Sequence, residues 1–208
     1  MDVLRVKVKL MSKLTVTILS DEVLDNTMHL FWHKGFANTS VDEIALLTGF
    51  NRAAIYKHFG SKNKLFLAML QRYRERVTSR FIAPLQRKNN DLNGILDFFA
   101  QILPLCQMSD TSNGCFLIAT ASDLPLHTPP VINFIEDFLS LLRQLFYDNL
   151  STAKVHKQIQ SDLDCSTAAD FLVGNVFGIW TLLRAHAPQA LLENHVQGVL
   201  NYVLSCHN

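Results

Sequence analysis

Between residues 39 and 65 the chain sets hydroxyls, a phenol, an imidazole and cations at intervals that suit binding to a polyanion. Arg52 can donate two parallel hydrogen bonds to a guanine edge, and Ala53 beside it can meet a thymine methyl. Tyr56, Lys57 and His58 follow; a phenol and cations there can reach phosphates or bases, and His58 also has a structural reading ahead of Phe59. Lys62 comes directly after Ser61, a helix-opening residue. An ammonium and the positive end of a helix then coincide, a combination that favours a phosphate. Thr39 and Ser40 can offer hydroxyls and backbone N–H groups to a second phosphate. Reaction chemistry has no such signal. The sequence carries no GxSxG elbow, no phosphate-cradling glycine loop and no HExxH pair, so no catalytic residue, no cofactor and no enzymatic activity are expected. His29 and His33 stand at i,i+4 spacing without a third ligand near them, and His127, His156, His186, His195 and His207 form no ligand pattern. No metal site is expected, and His29 and His33 read as exposed residues of the first helix.

Such side chains need two short helices held at a fixed angle. Ser40 with Glu43 three residues on is a capping box, and Val41, Ile44, Ala45 and Leu47 give the helix that follows an apolar face. Gly49 falls where that helix must end in a left-handed residue, Phe50 can pack into the angle, and Asn51 can cap the next helix, 52–59. That second helix buries Ile55 and Phe59. Two helices joined by a tight glycine turn form the unit that lays its second helix in the DNA major groove, so a double-stranded DNA operator is the expected partner.

The run Thr39-Ser40-Val41-x-x-Ile44-Ala45, then Gly49, then Ile55-Tyr56-x-His58-Phe59-x-Ser61-Lys62-x-x-Leu65 resembles the signature of the TetR family of transcriptional regulators. Val23-Leu24, Leu30-Phe31 and Lys34-Gly35-Phe36 are similar to that family's first helix. The likeness spans residues 17–77; beyond it, Gly114-Cys115-Phe116-Leu117-Ile118 with Asp123-Leu124-Pro125 resembles the opening of the sixth helix in several subfamilies. The resemblance implies phosphate contact through Tyr56 and Lys62, an effector cavity lined by some of the C-terminal phenylalanines, and dimerisation through the last two helices. Many members carry a small hydroxyl or glycine around the positions of Asn51, Ala53 and Ala54, so the run Asn51-Arg52-Ala53-Ala54 is a departure, and the operator sequence cannot be carried over.

Charge is sorted along the chain. Residues 1–88 hold 15 Lys and Arg against 7 Asp and Glu, a net +8, whereas residues 89–208 hold 4 against 11, a net −7. A basic end that binds phosphates and an acidic end that avoids them orient a molecule on DNA. Cys106, Cys115, Cys165 and Cys206 form no CxxC pair, which fits a reduced, cytoplasmic setting. No apolar run reaches the roughly 18 residues of a membrane helix, so no membrane partner is expected. Residues 1–19 alternate apolar and basic types: a strand-like arm, a disordered basic tail touching DNA, and residues preceding a start at Met11 all remain open.

The expected fold is all-α, about nine helices, with an N-terminal three-helix helix-turn-helix head on a C-terminal bundle for ligand binding and dimerisation. Its divisions are an arm at 1–16, a DNA-binding domain at 17–77 and an effector-binding and dimerisation domain at 78–208. A long helix over 62–87 carries the stripe Leu65, Met69, Tyr73 and Val77 and is kinked or ended by Pro84. Helical segments follow at 91–108 and 115–124, then from Pro129-Pro130 with the face Val131, Phe134, Ile135, Phe138, Leu142 and Leu145, and over 164–186 and 188–206; residues 109–114 read as a loop. Arg72, Arg74, Arg76 and Arg80 read as a solvated face, Arg72 lying about 15 Å along the helix from Lys62.

Phe98, Ile102, Cys106, Cys115, Phe116, Phe134, Phe138 and Phe171 fall on segments that would face one another, where a largely apolar small-molecule effector would bind. For any one of these phenylalanines ordinary core packing is the competing account. Cys115 should open a short helix, whose N–H groups and dipole favour the thiolate, with Cys106 as a resolving partner; the competing account is a small buried apolar residue. Gly174 and Gly178 allow a neighbouring helix to approach closely, and with Leu192, Val196 and Val199 they are the expected homodimer interface. The functional expectation is a cytoplasmic repressor released from a palindromic operator by its effector. The alternatives are a non-catalytic helical DNA-binding or adaptor protein without an effector, and a thiol-based electrophile or oxidant sensor.

Overall fold

The computed structural model describes residues 20–87, 91–107 and 113–206. Expectations for the N-terminal arm, for residues 108–112 and for His207 lie outside these. The described residues form helices and turns without a strand. The head comprises α1 (Asp21–Lys34), α2 (Val41–Thr48) and α3 (Arg52–Phe59). Then come α4 (Lys62–Tyr73), a π-helical stretch Arg74–Thr78, the short α5 (Ser79–Ile82) and a 3₁₀ turn Ala83–Gln86 that contains Pro84. The bundle adds α6 (Leu92–Ala100), a 3₁₀ turn Leu103–Gln107, α7 (Phe116–Ser122), a 3₁₀ turn Leu124–Leu126, α8 (Pro129–Val155), α9 (Cys165–Arg184) and α10 (Gln189–Ser205). Since α4, the π stretch and α5 run on as one rod, the described residues hold nine helices, the count expected from sequence.

Six of the helix starts have a local cause in a capping side chain. Ser20, Ser40, Asn51, Ser61, Asp91 and Asp164 sit at N-caps and accept N–H groups from Val23, Glu43, Ala54, Lys64, Asn93 and Ser166, each cap contributing about 1 kcal/mol. Only half of the Ser40 capping box forms, because the Glu43 carboxylate pairs with Lys34. In α2, Val41 and Ile44 are buried, but Leu47 is 47% exposed, so it does not belong to the packing face.

The head joins the bundle through aromatic contacts. Phe66 on α4 meets Phe116 edge-on at 5.5 Å and lies flat on His127 at 5.1 Å, and Tyr73 meets Phe116 at 5.7 Å and Trp32 at 4.9 Å. At the far end of α9, Arg184 donates to the carbonyls of Trp32 (3.2 Å) and Asn113 (3.0 Å), and the Trp32 indole donates to the same Asn113 carbonyl. Gly114 sits in this junction with φ 65°, and an added Cβ would stand 2.8 Å from the Trp180 carbonyl; position and crowding both demand glycine.

Two further expectations are corrected. Arg72 is not on a solvated face: it donates to Asp25 (2.7 Å) and Asp21 (2.9 Å), Arg76 bridges the same two carboxylates, and Arg74 lies over the Phe134 ring. Leu192, Val196 and Val199 are buried within the protomer, facing its own bundle, because α10 packs inward on α6 and on the 3₁₀ turn Leu103–Gln107. The outer sides of α9 and α10 carry instead Phe171, Gly174, Leu191, Gly198 and Leu204. By length and composition α9 could cross a membrane, with mean hydropathy 1.3, yet Leu172, Val176, Ile179 and Leu183 are spent on the bundle core.

Candidate DNA interface and bundle cavity

The interface is built by a turn. Gly49 adopts φ 71° and ψ 5°, Phe50 is half-buried in the angle, and Asn51 accepts the Ala54 N–H at 2.8 Å to start α3. Ile55 is then buried and Phe59 half-buried, which turns Arg52, Ala53, Tyr56, Lys57 and His58 to solvent. Arg52 holds Asp42 of α2 at 3.1 Å in an exposed pair, a contact that screens easily and yields to a better acceptor.

The two helix ends differ. The first turn of α4 has no carboxylate and contains Lys62 and Lys64, so its N–H groups face an environment suited to a phosphate. Lys62 is half-buried: its Nζ donates to the Phe36 carbonyl at 2.6 Å, lies 4.2 Å from the centre of the Phe36 ring, and burial pushes its pKa below the usual lysine range. Two of its three N–H donors remain for another acceptor. The first turn of α2 carries Asp42 and Glu43, which disfavour an anion. Thr39 leaves the candidate set as a side chain: it is fully buried, and its hydroxyl donates to the Gly35 carbonyl at 2.8 Å. Ser40 stays exposed, its oxygen accepting the Glu43 N–H.

A second feature lies in the bundle. A small cavity of about 30 Å³, open at its mouth and roomy enough as it stands for one or two waters, is bounded by α4, the π stretch, α5, α6, α7, α8 and α9. Phe98, Cys115 and Phe138 of the sequence-derived set line it; Ile102, Cys106, Phe116, Phe134 and Phe171 do not. Ile102 and Cys106 are buried elsewhere, Phe116 packs on Phe66 and Tyr73, Phe134 carries Arg74, and Phe171 lies on the outer side of α9 against Tyr202 (4.4 Å). Among the other lining residues, Tyr73, Thr78, Phe81 and Trp180 were missed. Tyr73 and Val77 sat on the expected stripe, so they were within reach. Thr78 was not, because it enters the core through a π turn that no sequence periodicity announces.

In this fold the chain's own residues match known families. Residues 23–69 match the family described as "Bacterial regulatory proteins, tetR family", and residues 92–199 match "Tetracyclin repressor-like, C-terminal domain". This chain belongs to the TetR family of transcriptional regulators. Like other TetR members it is a DNA-binding regulator. It is 28% identical over 153 residues, 73% of each chain, to the HTH-type transcriptional repressor ComR of Escherichia coli K12. It is 24% identical over 162 residues to the nucleoid occlusion factor SlmA of Haemophilus influenzae, covering 77% of this chain and 73% of that one. A cysteine mutant of the TetR family regulator CifR in complex with a 26-base-pair operator shares the fold at a TM-score of 0.76 and 18% identity, covering 89% of this chain and 97% of that one.

Within this TetR fold Cys115 has the surroundings of the buried apolar residue and not those of the reactive thiol. Cys115 is the N-cap of α7, but it is buried, and burial pushes its thiol pKa up. The N–H groups of Ile118 and Leu117 and the Tyr73 hydroxyl act in the opposite direction and lose to desolvation.

Proposed function

We propose that the chain is a homodimeric, non-catalytic repressor that leaves a palindromic double-stranded DNA operator when a small, largely apolar effector fills the bundle cavity. The observation that carries this reading is that one rod serves both places. Lys62 opens it at the DNA end, and Tyr73, Val77 and Thr78 wall the cavity, about 24 Å further on for Thr78. A ligand that fits one rod position better than another shifts the equilibrium between them and so biases the spacing of two heads. The contact set is Ser40, Arg52, Ala53, Tyr56, Lys57, His58 and Lys62, with a division at 17–77 for the head and 78–208 for the bundle. Likeness to a named repressor and to a regulator bound to operator DNA supports the sign and the partner. A cytoplasmic location follows from that role.

The test is protection of the DNA flanking the chain's own gene. A discrete protected inverted repeat is expected; uniform, sequence-independent coating would sink the repressor reading. The likeness to a nucleoid occlusion factor favours a second reading, DNA binding without an effector. That reading requires a cavity that no small molecule fills with stabilisation of the fold.

A further inference from the structure

Five threonines in this chain invite comparison. Thr27, Thr39, Thr48 and Thr120 each donate their hydroxyl to the carbonyl four residues back, at 2.7 to 2.9 Å. Thr78 has no hydrogen-bond partner although its oxygen is buried. Thr78 ends the π stretch, where the Arg74 carbonyl receives the Ser79 N–H five residues on, and its side chain lines the cavity. A buried hydroxyl without a partner is costly, and native proteins keep one where something else satisfies it.

The rest of the wall restricts what that something is. Phe81, Phe98, Phe138 and Trp180 give flat aromatic surfaces, with Phe81 and Trp180 edge-on at 5.3 Å. The Tyr73 hydroxyl lies beside the Cys115 thiol. Among the described residues no charged side chain lines the cavity, and the nearby guanidiniums are committed, Arg74 to the Phe134 ring and Arg184 to two carbonyls. An ionised ligand would be buried there without a counter-charge.

We infer that the cavity, widening as its aromatic walls part, takes a neutral, flat aromatic molecule bearing a single hydroxyl or carbonyl group, which the Thr78 hydroxyl anchors. The inference rests on the effector reading above and names its ligand class. Binding in this way completes the hydrogen bonding of the π stretch and fixes the rod at the point where it departs from α geometry.

The experiment is calorimetric titration of the full chain, without DNA, using three probes: 2-naphthol, 2-methylnaphthalene and 2-naphthoate. 2-Naphthol is expected to bind at least tenfold more tightly than 2-naphthoate. Thr78→Val should weaken 2-naphthol about three- to tenfold, the range one hydrogen bond supplies. The same variant should leave 2-methylnaphthalene unchanged, and Thr78→Ser should stay within about twofold of wild type for 2-naphthol. Naphthoate binding as tightly as naphthol, naphthol indifferent to Thr78→Val, or no naphthol binding at all would each overturn the assignment. The comparison of the three probes on wild type stands even if the valine variant does not fold. The repressor reading fails separately, in the footprint, so the two failures cannot be confused.

Discussion

Lys57 and Lys62 are both lysines of the segment proposed to face DNA, yet their surroundings give them different work. Lys57 is exposed on α3, while Lys62 is tied to the Phe36 carbonyl and ring and so also fastens the start of α4 to the end of α1. Lys57→Ala should therefore lower DNA affinity and reduce the salt slope by about one unit, with no change in Tm. Lys62→Ala should do the same and lower Tm as well. A Lys62→Ala protein with wild-type Tm would mean that the Phe36 contact holds nothing, and a wild-type salt slope would remove Lys62 from the phosphate contacts. At this scale the sequence was informative where chemistry is local. Ser40, Gly49, Asn51 and Ser61 act as caps and turn as their types require. It was uninformative where burial decides, as at Thr39, whose hydroxyl turns inward, and Cys115, whose desolvation outweighs the helix end.

Among the elements, α1 and α4 are clamped by a four-membered cluster, Asp21 and Asp25 with Arg72 and Arg76. The Arg72 guanidinium, nearly buried, holds the Asp25 carboxyl below the usual aspartate range, chiefly through its hydrogen bond. A carboxyl with a depressed folded pKa stabilises the fold above its unfolded value, and that contribution is lost as pH falls through the folded one. The Tm gap between wild type and Asp25→Asn should therefore be full at pH 6 and narrow below about pH 4. A gap that stays constant down to pH 3 would show that the pair works through packing and not through charge. This cluster illustrates the limit of pattern reading. Arg72 looked solvated because its partner Asp25 lies 47 residues away in sequence. Helix existence was legible throughout from apolar spacing and punctuation such as Pro129-Pro130; the π stretch was not, since it answers to the packing around it.

At the scale of the whole molecule, one head with a single eight-residue recognition helix has a small footprint, and a two-fold pair reading two half-sites is the coherent arrangement. The surface proposed for pairing is the outer side of α9 and α10. Phe171 is 45% exposed there beside Tyr202, and neither Gly174 nor Gly198 has an atom within 4 Å of an added Cβ. Gly178 is a poorer probe, because its Cβ would stand 3.4 Å from the His195 ring, itself bonded to Asn175. Gly174→Leu meets open space in the protomer and removes a helix-weakening glycine, so the isolated chain should fold at least as well as wild type. In a close-packed pair of helices the same leucine would collide with the partner, and overpacking of that kind costs about 1–3 kcal/mol. Sedimentation should show a wild-type dimer at micromolar concentration and a Gly174→Leu population shifted to monomer, with circular dichroism unchanged. Operator affinity should fall at least tenfold and the salt slope should drop by about half as one head is lost. A variant that remains dimeric would move the interface off this face, and a wild-type monomer would leave the palindrome without a reader.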